Sequence, residues 1–189
     1  ELSYISKLLP GRILDIGCGL GWILSAISNN WEKYGIELSK FASEKANNHG
    51  QILTGEFSGN NFNDNWFDLI VMSHVIEHME DPIENIREVS RILKKGGSLV
   101  LATPDFDSGC ARLFGNNYRL LNDSTHISLF SNDSMHRFLR DNGFNILKVD
   151  YPYFITRHFS EDNLLRLFDS KSISPAFYGN FMTFYCIKE

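Results

Sequence analysis

The chain has little of what marks disulfide-rich, nucleic-acid-binding or membrane-spanning proteins. Its three cysteines, Cys18, Cys110 and Cys186, form an odd and scattered set that fits neither a disulfide framework nor zinc-ligand spacing. Lysine and arginine number 18 against 23 acidic residues and form no run, so nucleic acid is not an expected partner. No apolar stretch reaches membrane-spanning length and no signal peptide precedes the first strand. We therefore expect no membrane insertion and a cytoplasmic location.

Apolar residues are plentiful, and along the chain their spacing alternates between that typical of strands and that typical of helices. Hydrophobic residues make up 43% of the 189 positions, which suits one globular domain over residues 1–189. Short apolar runs predict strands at 12–16, 33–37, 51–54, 67–73, 97–103, 144–150 and 181–188. Helical patterns lie between most of them, which predicts an α/β fold with a doubly wound, mostly parallel sheet and helices on both faces.

One predicted helix has clear signals at both ends. Asp81 is a good N-cap, and Pro82 suits the first helical position. Lys94 and Lys95 suit the negative end of the helix dipole, and Gly96 suits the stop after it. We therefore expect this helix to run from residue 82 to about residue 95.

A glycine turn follows the first predicted strand, and ligands of such sheets bind at the carboxyl ends of strands. Its glycines, Gly17, Gly19 and Gly21, follow the pattern G-x-G-x-G, whereas a dinucleotide fingerprint needs G-x-G-x-x-G. Asp15 precedes the turn, and a carboxylate there disfavours a pyrophosphate. These two features count against a nucleotide-binding or NAD-dependent oxidoreductase, which remains the alternative enzyme class.

A ligand with positive charge and no phosphate suits the turn better. S-adenosylmethionine (AdoMet) carries a sulfonium and an ammonium that Asp15 would attract. Glu37 ends the second predicted strand about twenty residues later, where a carboxylate binds both hydroxyls of a ribose. In the simpler alternative, the glycines only make a tight turn and Glu37 is an ordinary solvated acid.

Four segments in order carry a resemblance to a known family: "ILDIGCGLGWIL", "YGIELS", "FDLIVMSHVIEHMEDP" and "REVSRILKKGGSLVLATP". The region from about residue 5 to about residue 150 resembles the class I AdoMet-dependent methyltransferases, and is most similar to the small-molecule branch that includes ubiquinone-type O-methyltransferases. The resemblance implies a seven-stranded sheet whose last strand, 181–188, is antiparallel. It also implies a set of cofactor-binding residues: Asp15, Gly17, Cys18, Gly19, Glu37, Leu38, Glu56, Phe57, Ser73 and His74.

Histidine is the usual base for a protonated acceptor, because its charge changes near neutral pH. His126 lies in "DSTHISLFS", between the fifth strand and the next helix, and the resembling enzymes often have a histidine in this setting. We expect His126 to be the catalytic base or to position the acceptor; alternatively it hydrogen-bonds a loop carbonyl and orders its segment. His74 follows the fourth strand and is the second candidate, whereas a structural role is favoured for His78. Neither paired carboxylates nor His/Cys ligand spacing occurs, so we expect no metal.

Two segments, 105–130 and 151–180, are additional to the strands and helices of the basic α/β fold. The second is expected to be a substrate or lid insertion, but both could instead form a homodimer contact or cover the sheet edge. Arg112 or Arg119 could bind an anionic acceptor or be solvated. The sequence thus predicts AdoMet-dependent methyl transfer to a small molecule, more readily at oxygen than at nitrogen or carbon. A non-catalytic AdoMet-binding module is a further alternative.

Overall fold

A seven-stranded sheet forms the centre of the protein. The computed structural model describes residues 1–58, 61–151, 160–176 and 181–189. The strands are β1 Arg12–Ile16, β2 Glu32–Glu37, β3 Gln51–Thr54, β4 Phe67–Ser73, β5 Leu93–Pro104, β6 Phe144–Asp150 and β7 Phe181–Lys188. Their order is β3-β2-β1-β4-β5-β7-β6. Strands β1 to β5 pair in parallel, and β7 is antiparallel to both of its neighbours, which confirms the expected topology.

Helices cover both faces of this sheet. They are α1 Leu2–Ile5, α2 Trp22–Ala26, α3 Lys40–Ala46, α4 Pro82–Ile92, α5 Gly109–Phe114, α6 Asn132–Asp141 and α7 Glu161–Arg166. Successive side chains of a strand point to opposite faces. Accordingly Ile13 of β1 packs with residues of α1, α2 and α3, whereas its neighbour Leu14 packs with residues of α4 and α6. The doubly wound arrangement predicted from the sequence is therefore confirmed.

The boundary between α4 and β5 differs from the prediction. Asp81 caps α4 as expected, because its side chain accepts a hydrogen bond from the backbone N–H of Glu84. The predicted extension of the helix over residues 93–95 is wrong, since α4 ends at Ile92 and those residues begin β5. The reason is a tertiary contact: the Nζ of Lys94 lies 2.6 Å from Oδ1 of Asp68 at the start of β4. This pairing holds the lysine on the sheet instead of at a helix end.

The segments beyond the bare fold pack on each other where they are described. Ser160 caps α7, and Leu167 after this helix packs against the apolar cluster of the 105–130 segment. The Oγ of Ser174 accepts a hydrogen bond from the backbone N–H of Arg119 at 2.9 Å. Residues 152–159 and 177–180 lie outside the described residues, so a lid formed by 151–180 stays a prediction. Among the described residues, no helix combines the length and apolarity needed to cross a membrane.

Candidate cofactor site

The glycine turn lies at the carboxyl end of β1 and is tied to β2. The backbone N–H groups of Gly17 and Cys18 both donate to the carbonyl of Ile36, at 2.8 and 3.0 Å. Gly17 and Gly19 have φ values of +70° and +55°, a region that favours glycine. A Cβ on Gly17 would lie 2.4 Å from a methyl group of Val75, whereas a Cβ on Gly19 would have no neighbour within 4 Å. The turn therefore packs tightly against the residues after β4 and leaves open space above Gly19.

Glu37 holds the same turn from the end of β2. One carboxylate oxygen accepts the backbone N–H of Gly19 at 2.9 Å, and the other accepts that of Ser39 at 2.8 Å. Each carboxylate oxygen has a second lone pair, so the group can also accept hydrogen bonds from two ribose hydroxyls. The position at the strand end agrees with the role that the sequence suggests for Glu37.

Acidic groups lie beside the glycine turn. Asp15 is only 2% exposed, and burial is the main cause that raises the pKa of its carboxyl to about 8. The nearby carboxylates of Glu1 and Glu37 raise this pKa further, because a second negative charge is unfavourable beside them. Ser73 donates from its Oγ to a carboxylate oxygen of Glu1 at 2.9 Å. Binding of a positively charged ligand is therefore electrostatically favourable at this site.

A cavity of about 420 Å³ adjoins the turn. Gly17, Leu38, Glu56 and Phe57 line it together with apolar side chains from the ends of β1 and β2. Phe57 is buried, while Leu38 is 69% exposed at the rim. The volume lies within the range of small-molecule sites, about 300 to 1,000 Å³. Apolar walls suit an adenine, and the open glycine turn beside acidic groups suits the methionine part, so the residues present fit AdoMet.

Of the predicted cofactor residues, Gly17, Leu38, Glu56 and Phe57 line this cavity, and Gly19 and Glu37 lie in the turn beside it. Ser73 ends β4 and His74 follows it, whereas Cys18 directs its side chain into the core. Cys18 is 6% exposed, and its side chain packs with Ile13 and Leu24 in the core. Burial raises the pKa of its thiol to about 12, and the charges of Asp15 and Glu37 add to this effect. Only the backbone of Cys18 faces the turn, so a cofactor contact through its side chain has no support in the geometry.

His126 lies in the loop that follows β5 and is tightly held. Its Nδ1 is 2.7 Å from the carbonyl oxygen of Leu120, and its Nε2 is 3.8 Å from a carboxylate oxygen of Asp123. Only 8% of its side chain is exposed. The carbonyl contact supports the alternative that His126 orders its segment, and its role as a base stays a prediction.

Glu77 is a buried acid that the sequence analysis did not single out. It is fully buried in the 3-10 turn Ile76–His78 after β4, and its backbone carbonyl accepts the N–H groups of Ile127 and Ser128. An acid inside the apolar stretch "VMSHVIEHM" was the available signal. The turn thus fastens the loop of His126 to the end of β4.

Glu77, His78 and His126 are the described residues that come nearest to a metal-binding group, with ligand atoms within 4.8 Å of one another. A tetrahedral ion bonded to its ligands at about 2.1 Å holds the ligand atoms about 3.4 Å apart. Ligand atoms that are 4.8 Å apart would therefore have to move closer together to bind such an ion. Each histidine directs its Nδ1 to a loop carbonyl, of Thr125 and Leu120 respectively. The absence of a metal site stays a prediction.

Comparisons with known proteins identify the family of the chain. A sequence model of a family described as "Methyltransferase domain" matches residues 1–149. An uncharacterized protein of Methanocaldococcus jannaschii is 25% identical over 156 residues, which are 82% of this chain and 75% of that protein. The ubiquinone biosynthesis O-methyltransferase of Alkalilimnicola ehrlichii is 29% identical over 118 residues, which are 54% of this chain and 47% of that enzyme. The chain therefore spans about half the length of that relative.

Solved structures extend the likeness to the whole chain. The crystal structure of an S-adenosylmethionine-dependent methyltransferase from Thermotoga maritima, described as a possible histamine N-methyltransferase, superposes with a TM-score of 0.73 and 26% identity. The match covers 100% of this chain and 87% of that one. Because the family match also covers residues 1–149, the chain belongs to the methyltransferase-domain family and is a class I AdoMet-dependent methyltransferase.

Proposed function

We propose that this enzyme methylates an oxygen atom of a small-molecule acceptor. The choice of AdoMet as the cofactor rests on the buried Asp15, which lies with Glu1 and Glu37 beside an open glycine turn. Bound there, AdoMet supplies a methyl group activated by its sulfonium. The preference for oxygen rests on similarity to ubiquinone biosynthesis O-methyltransferases.

The chain's own residues have three tasks in this function. Asp15 and Glu1 offer negative charge to the ammonium and sulfonium side, while Glu37 accepts hydrogen bonds from the ribose. Leu38 and Phe57 enclose the adenine and keep water from it. Holding the acceptor in line with the methyl group supplies much of the rate enhancement, because it removes the entropic cost of encounter.

A nitrogen acceptor is the second candidate, favoured by the Thermotoga maritima neighbour that is described as a possible histamine N-methyltransferase. Carbon acceptors have no particular support. A homodimer and a cytoplasmic location stay predictions.

Calorimetric titration separates the cofactor alternatives. We expect AdoMet and S-adenosylhomocysteine to bind in the micromolar range and NAD to bind far more weakly. Asp15→Asn should weaken AdoMet binding, whereas Asp141→Asn, at an exposed position on α6, should not change it. Preferential binding of NAD would overturn the proposal.

The acceptor can be found with methyl-labelled AdoMet and a metabolite panel of phenols, catechols, sugars and amines. Label transferred to a hydroxyl group, and located there by mass spectrometry, is the expected result. Label on an amine or imidazole would favour the nitrogen alternative. Cofactor binding without transfer to any member would favour a non-catalytic binding module.

A further inference from the structure

His74 has an unusual backbone conformation at the carboxyl end of β4. Its φ is +57°, which for a residue with a side chain costs about 1 to 2 kcal/mol. Its backbone N–H donates to the carbonyl of Ala102 on β5 at 2.8 Å, and its ring contacts the edge of Phe181 with centroids 4.7 Å apart. Strained residues of this kind concentrate at functional sites, where the surrounding structure holds them. The conformation fixes the direction of the imidazole.

Glu77 lies three residues later and faces that imidazole. One of its carboxylate oxygens accepts a hydrogen bond from the Oγ1 of Thr103 at 3.0 Å. Within the described part of the chain, the other oxygen accepts no hydrogen bond, and the Nδ1 of His74 lies 3.4 Å from it. A buried carboxylate without a partner costs several kcal/mol, so this oxygen has a strong preference for an N–H at that position. Hydrogen bonds of catalytic groups are often long before the substrate binds.

The sequence neighbours of His74 lie at the glycine turn and at the acidic group beside it. The residue after it, Val75, contacts the glycine turn so closely that a Cβ on Gly17 would lie 2.4 Å from its side chain. The residue before it, Ser73, binds Glu1 in the acidic group that includes Asp15. The backbone on both sides of His74 therefore adjoins the cofactor crevice, and its ring contacts Phe181 at the start of β7.

We propose that Glu77 holds His74 as the Nδ1–H tautomer, so that the Nε2 of His74 takes the proton from the acceptor during methyl transfer. This inference rests on the proposed function. The proton of the acceptor hydroxyl passes to Nε2 as an oxygen lone pair forms the bond to the methyl carbon, and the electron pair of the broken C–S bond returns to sulfur. The positive charge of the sulfonium thus ends on the imidazole, where the carboxylate of Glu77 stabilises it.

His74 suits this role better than His126. The side chain of His74 is 43% exposed, whereas that of His126 is 8% exposed. The Nδ1 of His74 lies 3.4 Å from the buried carboxylate of Glu77, whereas the Nδ1 of His126 meets the neutral carbonyl of Leu120 and its Nε2 lies 3.8 Å from the exposed carboxylate of Asp123. The arrangement of an acid that orients a histidine base recurs on unrelated folds.

The tautomer can be measured without any acceptor. Nitrogen-15 correlation spectra of labelled protein near pH 8 distinguish Nδ1–H from Nε2–H histidines. We expect His74 to be the Nδ1–H form, and the exposed His49 to show the Nε2–H form that prevails in water. Glu77→Gln keeps the shape and an acceptor for Thr103, but its amide offers N–H to Nδ1, so His74 should change to the Nε2–H form. An Nε2–H form of His74 in the unaltered protein would overturn the proposal.

Turnover provides the second test once an acceptor is known. His74→Ala should lower kcat about a hundredfold or more, since general-base catalysis contributes about 10² to 10⁴. Glu77→Gln should lower kcat less, and Glu77→Asp should partly restore it. His49→Ala serves as the matched control and should retain full activity. Unchanged kcat in His74→Ala would remove the histidine from the mechanism.

The affinity for AdoMet separates the failure of this inference from failure of the proposed function. If AdoMet does not bind, the proposed function fails, while the tautomer experiment still reports on Glu77 and His74. If AdoMet binds and the tautomer is Nε2–H, only the present inference fails. A titration with Zn²⁺ alone gives a further outcome: micromolar binding that Glu77→Gln abolishes would show that Glu77 serves an ion instead, and would overturn the pairing with His74.

Discussion

Asp15 connects the chemistry of the cofactor site to the stability of the fold. Its pKa is raised to about 8 from an ordinary value of 3.8, chiefly by burial and then by Glu1 and Glu37. Between about pH 4 and pH 8 the folded protein therefore keeps a proton that the unfolded chain has released. In that window the contribution of Asp15 to stability falls as the pH rises. The whole difference amounts to at most about 6 kcal/mol, because each pKa unit is worth about 1.4 kcal/mol.

The substitution Asp15→Asn removes this titration and keeps the side-chain size. We expect the variant to gain stability relative to the unaltered protein as the pH rises, by up to about 1.4 kcal/mol for each unit between about pH 5 and pH 7. Urea denaturation of both proteins at several pH values measures this difference. The control is Asp141→Asn, since Asp141 is exposed on α6.

The same carboxyl should couple AdoMet binding to proton release. A cationic ligand favours the ionised form of Asp15, so the affinity should rise with pH below about 8, by up to about tenfold for each unit. Calorimetry in two buffers with different ionisation enthalpies should show release of most of one proton at pH 7. In Asp15→Asn both the release and the pH dependence should disappear.

Two results would refute this reasoning. One is a pair of parallel stability curves for the unaltered protein and Asp15→Asn, which would mean that the carboxyl is already ionised in the free protein. The other is an AdoMet affinity that depends on pH to the same extent in both proteins. Either result would remove Asp15 as the group that responds to the charge of the cofactor.

Four further substitutions test the crevice and the loop of His126. Gly17→Ala should lower the free energy of unfolding by about 1 to 3 kcal/mol, because the added Cβ would overlap a valine side chain. Gly19→Ala adds a Cβ that meets no neighbour, so it should lower the free energy of unfolding by only about 1 kcal/mol. Thermal denaturation compares the two variants. Glu37→Gln can accept only one of two backbone N–H groups and should weaken AdoMet binding about tenfold by calorimetry; full affinity would contradict its role. His126→Ala should retain AdoMet affinity and lose about 1 kcal/mol of stability, because the hydrogen bond to the carbonyl of Leu120 is lost. If His126 is the catalytic base, turnover should fall about a hundredfold, whereas unchanged turnover would exclude that role.

Local signals in the sequence were sufficient for the sheet and for placing the glycine turn beside Glu37. A cap such as Asp81 acts within one turn of the chain, so it can be recognised from neighbouring residues alone. The glycine turn and Glu37 also follow from local positions, because residues at the ends of adjacent parallel strands meet at one edge. The end of α4 could not be found in this way. It depends on the contact of Lys94 with Asp68, which is 26 residues away in sequence.

The same distinction explains why the sequence pointed to His126 before His74. A histidine in a loop near the expected methyl group can be ranked by its position, but its freedom to act depends on partners that sequence spacing does not give. The contact of His126 with Leu120 depends on the path of an irregular loop. The pair of His74 and Glu77 has spacing i, i+3, which brings two side chains together only if the backbone turns directly after the strand. Here the left-handed conformation of His74 and the following 3-10 turn provide that geometry, and burial of Glu77 gives the contact its energetic weight.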